Sequence, residues 1–301
     1  MWSLWQDLEF AAPPGAEVLA EILDGGQSFR WKVGADGVWT GAWADFNARL
    51  RLAPKSGRLQ WSAPETQVES THLALRRYLD ADRDVRLLVD ALPWRSDEHL
   101  ARAIQAFPGL RILRQPFGEA LLCFICSAAK QIVQIKQIAA ALAGLSRNGA
   151  LPALRGRTAD GQRSALSAPL PGWPELAEIP EAQLRACKLG FRARYVHQTA
   201  QFLAAHPGWL EQTETLPYAE AKARLLELPG VGEKIADCVL LFGAGRLDAF
   251  PVDVWIIEAM RRRYGLLRWK PEQVAQFGRL HFGPNAGLAQ QYLFAWERKS
   301  R

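Results

Sequence analysis

Histidine and cysteine are scarce in this chain, five and four residues among 301, and their placement excludes more than their number does. His72, His99, His197, His206 and His281 show no metal-ligand spacing. Cys123, Cys126, Cys187 and Cys238 are too few and too scattered for a disulfide framework. Nor do they form the clustered four-cysteine C-terminal run of an iron–sulphur site, so no metal, cluster or other cofactor is expected. Cys123-Phe-Ile-Cys126 has the spacing of a redox pair, but it sits in the apolar run LLCFIC with no second pair or histidine nearby, and reads as buried helix cysteines. No stretch approaches the ~18 apolar residues that cross a bilayer, and the N-terminus, MWSLWQDLEFAAPPG, lacks a basic region followed by an apolar one. A bacterial cytosolic, nucleoid-associated setting and a eukaryotic nuclear one fit equally, with no membrane. Internal repeats are absent.

What the chain does have is an ordinary globular balance, 49% hydrophobic and 23% charged, with a net charge of +6 and a pI near 9.3. Its length suits two or three domains with a substantial core, and its charge favours a polyanionic partner, though only weakly. Residues 27 to 63 alternate in short stretches, SFRWKV, VWTGAW, ARLRLA and RLQWSA, separated by Gly34-Ala35-Asp36-Gly37 and Pro54-Lys55-Ser56-Gly57. These are hairpin signals and predict an antiparallel sheet, with Trp31, Trp39, Trp43 and Trp61 as its packing. Helical stretches at 70–80 and 84–92 should cover one face. From Pro93 helical periodicity takes over, as in Leu100 to Phe107 and Ala120 to Leu142. The fold class is therefore α+β, with a sheet domain over 1–93 and an all-α region over 94–301. Residues 149–175, rich in Gly, Pro, Ser and Arg, read as a long connection, and 181–204 as helix carrying a basic cluster beside Phe191.

The stretch 225 to 255, LLELPGVGEKIADCVLLFGAGRLDAFPVDVW, organises the function. Leu225, Leu226 and Leu228 end one helical pattern, Pro229-Gly230-Val231-Gly232 breaks it, and Ile235, Ala236, Val239, Leu240 and Phe242 resume it. This is a helix-hairpin-helix, with the hairpin over 225–243. Gly230 and Gly232, two positions apart, allow a tight turn whose N–H groups can approach a phosphate at the next helix's N-terminus, although an ordinary αα-turn has the same form. Lys234 falls in the first helical turn, where an ammonium is mildly disfavoured. An amine nucleophile needs its pKa lowered by roughly two to three units, about 3–4 kcal/mol; a helix end contributes about 0.3–1 kcal/mol, so burial must supply the rest. Nineteen residues later Asp253 stands at an N-cap position. By themselves, Lys234 reads more readily as a solvated or phosphate-contacting lysine than as an imine-forming one, and Asp253 more readily as a helix cap than as a catalyst.

LPGVGEKIADC followed by VDV resembles the helix-hairpin-helix, Gly/Pro-rich, aspartate superfamily of DNA base-excision glycosylases. A lysine directly after the hairpin is similar to the bifunctional branch, whose amine attacks the sugar C1′ and leaves an imine from which the 3′ phosphate is eliminated. GGQSFRW at 25–31, LRQPFGEALLCFICSA at 113–128, LGFRARYV at 189–196 and GPNAGLAQQYLF at 283–294 resemble 8-oxoguanine DNA glycosylases over nearly the whole chain. The resemblance implies an N-terminal sheet domain of the TATA-binding-protein kind on two helical subdomains, acting as a monomer on double-stranded DNA that contains oxidised purines. It implies Lys234 and Asp253 as the catalytic pair, with Gly26 reading the N7 hydrogen of 8-oxoguanine and Gln290 its Watson–Crick edge. Cys238 and Phe294 would sandwich the base, while Gly230, Val231, Gly232, Phe191 and Arg192 would contact DNA. Departures fall at Ala129 and Gln134, where the family carries asparagine and arginine, at Trp255 in place of histidine, and at Phe191 in place of tyrosine. They put recognition of the opposite base in doubt. The competing readings are a monofunctional alkylpurine glycosylase, which uses water and would not need Lys234, and a non-catalytic DNA-binding protein that keeps the hairpin alone.

Overall fold

Alternating side chains in the N-terminal third build one antiparallel sheet of five strands: β1 (Gln6–Asp7), β2 (Trp31–Val33), β3 (Trp39–Trp43), β4 (Phe46–Leu52) and β5 (Leu59–Ser62), in the order β1-β5-β4-β3-β2. This computed structural model describes residues 1–145 and 168–300, so the connection predicted at 149–175 lies outside the described residues up to 167. All four strand tryptophans are buried. Trp31 stacks on Trp43 with ring centroids 5.9 Å apart, and room for it comes from its cross-strand neighbour Gly41, where any Cβ would enter the indole. The Val68–Tyr78 helix covers the sheet through Tyr78, whose hydroxyl accepts from Trp31 Nε1 at 3.1 Å and donates to Ser28 at 2.9 Å. Two-residue strand β1 carries no strong sequence signal, whereas the Ala16–Asp24 helix, not among the expected elements, buries Val18, Leu19, Ile22 and Leu23 at helical spacing.

The helical region departs from the periodicity in one place. Ala120 to Leu142 does not run as one helix but as Phe117–Ser127 and Ile132–Ala143. Ala129 turns the chain between them with φ of +51°, and the second helix starts where the Gln131 N–H donates to the Gln134 side chain at 3.1 Å. No glycine or proline marks this break. The sheet-then-helices order is as expected, and the basic 181–204 stretch forms Glu181–Leu184, a wide turn through Arg185–Leu189, and Arg192–Ala205.

Buried amides fasten the two halves around the site. Gln27 donates to the Arg111 carbonyl and accepts from the Leu113 N–H, both at 2.9 Å, and Gln115 donates to the Gln27 carbonyl at 2.6 Å. The Gln115 N–H in turn donates to the Phe242 carbonyl at 2.8 Å, tying the segment after Gly26 to the end of the hairpin's second helix. Each such bond gives a buried amide a partner, where an unpaired one would cost about 1–3 kcal/mol. Gly287 lets the C-terminal helix Ala286–Lys299 close in, since a Cβ there would lie 2.4 Å from Leu241.

Candidate active site

The hairpin consists of Tyr218–Leu225, the turn, and Glu233–Phe242. Lys222 on the first helix bridges to Glu233 at 2.7 Å and to buried Asp237 at 3.0 Å on the second. The Tyr218 hydroxyl donates to Asp237 at 2.7 Å and accepts from Arg279 at 3.3 Å. These bonds set the angle at which the second helix presents its N-terminus. Gly232 is its N-cap, and Lys234 projects from the first turn. The Lys234 amine is half-buried, 3.4 Å from Ser127 Oγ and 5.5 Å from the centre of the Phe124 ring, so one hydroxyl and an aromatic face replace much of its water.

Asp253 caps the Val254–Arg263 helix, its Oδ1 accepting from the Trp255 and Ile256 N–H groups at 3.0 and 2.9 Å. Burial pushes its carboxyl above the ordinary carboxylate range, opposed by those amides and by the charge of Lys234. One turn beyond Lys234, the Cys238 thiol is pushed up to about 11 by burial, which the nearby lysine opposes, so at neutral pH it is a thiol.

Lys234, Asp253, Gly26, Cys238, Gln290 and Phe294 line one cleft of about 900 Å³. Gly26 has φ of +109°, and a Cβ there would lie 3.3 Å from Ile132 and 3.9 Å from the Phe294 ring. Gln290 is buried, donating to the Pro251 carbonyl at 3.0 Å and accepting from Gln291 at 2.7 Å. Ala129, Lys130, Gln131 and Gln134 form another wall, and Trp255 lines the cleft beside Asp253. A second depression of about 740 Å³ includes Glu119, whose carboxylate already accepts from Ala44 N and Arg30.

The other five residues singled out by sequence lie outside that lining. Gly230 has φ of +78° and packs against Tyr195; Val231 is buried and its N–H donates to Leu228 at 3.1 Å; Gly232 faces open space. Phe191 is 56% exposed, whereas Arg192 is buried, its guanidinium 4.3 Å over the Phe191 ring and donating to the Leu189 carbonyl at 3.2 Å. Tyr195, edge-on to Phe191 at 6.0 Å, touches both groups.

A family model described as 8-oxoguanine DNA glycosylase, N-terminal domain, matches residues 13–121, and one described as HhH-GPD superfamily base excision DNA repair protein matches 124–280. The chain belongs to this superfamily of base-excision DNA repair proteins. Arabidopsis thaliana N-glycosylase/DNA lyase OGG1 is 30% identical over 90% of this chain and 75% of its own length. A Methanothermobacter thermautotrophicus protein named "Probable N-glycosylase/DNA lyase" is 38% identical, over 39% of this chain and only 37% of its own length. Among solved structures, Clostridium acetobutylicum 8-oxoguanine glycosylase/lyase in complex with dsDNA containing cytosine opposite to 8-oxoG superposes with a TM-score of 0.80. It is 29% identical, with 94% of this chain and 92% of that one covered.

Within this superfamily chain, the sequence did not single out Ser127, Gln291, Tyr195 or Arg298. Ser127 lay inside the quoted FICSA segment and was separable from it only by knowing which helix faces Lys234. Arg298 lies beyond the quoted GPNAGLAQQYLF segment, with no local pattern to mark it.

Proposed function

We infer that the protein is a bifunctional DNA repair enzyme that removes 8-oxoguanine from duplex DNA and then cleaves the strand at the abasic site. The observation that carries this reading is the meeting of the Lys234 amine and the Asp253 carboxylate in the cleft that also holds Gly26, Cys238, Gln290 and Phe294. The neutral amine attacks C1′ of the extruded nucleotide, the C1′–N9 bond breaks, and the base leaves with the bonding pair and takes up a proton. Loss of a proton from the nitrogen and ring opening give the imine; removal of a C2′ proton then expels the 3′ phosphate. Asp253 stabilises positive charge developing on the sugar, and its elevated pKa suits it to carrying protons in these steps. Its cap bonds hold it still for that work. Strand cleavage needs no metal in this scheme.

The extruded base lies between Cys238 and Phe294, with the Gly26 carbonyl accepting from the N7 hydrogen that guanine lacks. Gln290 addresses the Watson–Crick edge with the second N–H and the second lone pair that its present bonds leave. Stacking and edge bonds together offset the few kcal/mol of unstacking. On the DNA side, the hairpin turn at Gly230, Val231 and Gly232 takes backbone phosphate, and exposed Phe191 enters the space that the base vacates. The enzyme works wherever the cell keeps its DNA, in a nucleoid or a nucleus. Incubating it with duplexes that each carry one lesion tests the reading: 8-oxoguanine should be released and the protein trapped by borohydride. Release of alkylated adenine without trapping would replace it with alkylpurine hydrolysis.

A further inference from the structure

Arg298 lines the same cleft as Gly26 and Phe294, yet no step above uses it. It stands one turn beyond Phe294 on the C-terminal helix, with its guanidinium carbon 5.3 Å from that ring's centre. Nη1 donates to the Gly25 carbonyl, and Nη2 lies 3.6 Å from the Glu21 carboxylate. Glu21 and Gly25 belong to the end of the Ala16–Asp24 helix, directly before Gly26. From the other side, Asp24 accepts from Lys136 at 2.7 Å, and the Lys136 helix also supplies Ile132, the side chain that a Cβ on Gly26 would meet first. Two consecutive glycines have many accessible backbone states, and these bonds restrict the pair to one of them.

We propose that Arg298 is the positioning residue that sets lesion selectivity, holding the Gly25 carbonyl and flanking Phe294 so that the Gly26 peptide and the aromatic wall keep one spacing around the extruded purine. The inference rests on the functional reading above, since it concerns the carbonyl that reads the lesion. A planar guanidinium suits the task because its fork can meet a carbonyl and a carboxylate while its face lies on a ring; an ammonium, a single point charge, cannot do all three. A hydrogen bond that weakens steeply with misalignment makes selectivity sensitive to a small drift of that peptide.

The test uses the full-length protein with Arg298→Met, which keeps bulk and removes every donor. Single-turnover excision of 8-oxoguanine should fall about tenfold or more, as expected when one pocket hydrogen bond is lost. Borohydride trapping on a duplex with a preformed abasic site, where no base is read, should stay within about threefold. Arg298→Lys should fall between wild type and Arg298→Met in excision. Excision unchanged in folded Arg298→Met overturns the proposal, and so does an equal fall in excision and trapping, which would mark a general structural role. Should Arg298→Met fail to fold, Arg298→Lys decides: a wild-type ratio of excision to trapping in that variant also overturns it. If the wild-type protein neither excises 8-oxoguanine nor traps, the functional reading itself has failed.

Discussion

Gly230 turns directly against Tyr195: a methyl on its α-carbon would lie 2.7 Å from the tyrosine Cβ and Cγ. With φ of +78°, the position is closed to other residues by backbone and by packing. Gly230→Ala should lose about 1–3 kcal/mol of stability by denaturant unfolding and weaken duplex binding. Gly232→Ala provides the contrast, since nothing lies near its would-be Cβ. It should leave stability within about 0.5 kcal/mol yet still reduce affinity, because the methyl stands where phosphate approaches the helix end. Unimpaired binding by both variants would take the phosphate away from this turn.

Lys234→Gln should abolish borohydride trapping on 8-oxoguanine and abasic duplexes and lower strand cleavage by roughly a thousandfold or more. Retained trapping would move the imine to another amine, and Lys130, which lines the same cleft, would be the first to mutate next.

Asp253→Asn separates the cap from the chemistry. Because burial raises the Asp253 pKa in the fold, the stability this group contributes is fully present below the ordinary value of 3.8 and is lost as pH rises through the raised one. Asparagine caps a helix about as well as aspartate and brings no buried charge. The variant should therefore be at least as stable as wild type at neutral pH, bind duplex DNA, and turn over far more slowly. Its melting temperature should depend less on pH above 3.8. Loss of the folded state in this variant would make Asp253 a cap alone.

Preference for cytosine opposite the lesion should be weak. Ala129 offers no side-chain hydrogen bond, Gln134 is occupied by the Gln131 N–H, and Arg192 is buried against Leu189 and Phe191. Each missing bidentate contact removes about 1–3 kcal/mol of discrimination. Single-turnover rates on duplexes with each of the four bases opposite, at one salt concentration, should differ by less than about a hundredfold, or roughly 2.7 kcal/mol. Ala129→Asn tests the cause, since asparagine accepts the positive φ that alanine resists and supplies an amide. It should raise both stability and the cytosine preference.

The hairpin was legible because Pro229, Gly230 and Gly232 are local signals, and the sheet because its short alternating stretches are separated by turns containing Gly34, Gly37, Pro54 and Gly57. Its first helix nevertheless begins at Tyr218, well before the quoted 225. The break at Ala129 was not legible, because an alanine with positive φ leaves no compositional mark and is held by what surrounds it. The six cleft residues were named through resemblance: Gly26 and Gln290 are remote in sequence, and contacts between distant segments, among them those of Gln27, Gln115, Gly287 and Arg298, bring them to one cleft. Arg298 and Tyr195 stayed hidden for the same reason, since their partners lie on other segments.

The Lys222 bridge to Glu233 and Asp237 also bears on how the molecule breathes. With its two helices cross-linked by charge and Tyr218 shared with Arg279, the hairpin is expected to open as one cooperative unit rather than fray from either end. Hydrogen-bonded amide protons in the bodies of Tyr218–Leu225 and Glu233–Phe242 should then exchange with deuterium at a common slow rate in the free protein, while the open turn between them exchanges fast. If the hairpin is the edge that faces DNA, as proposed, its cross-links leave little conformational entropy to be surrendered on docking.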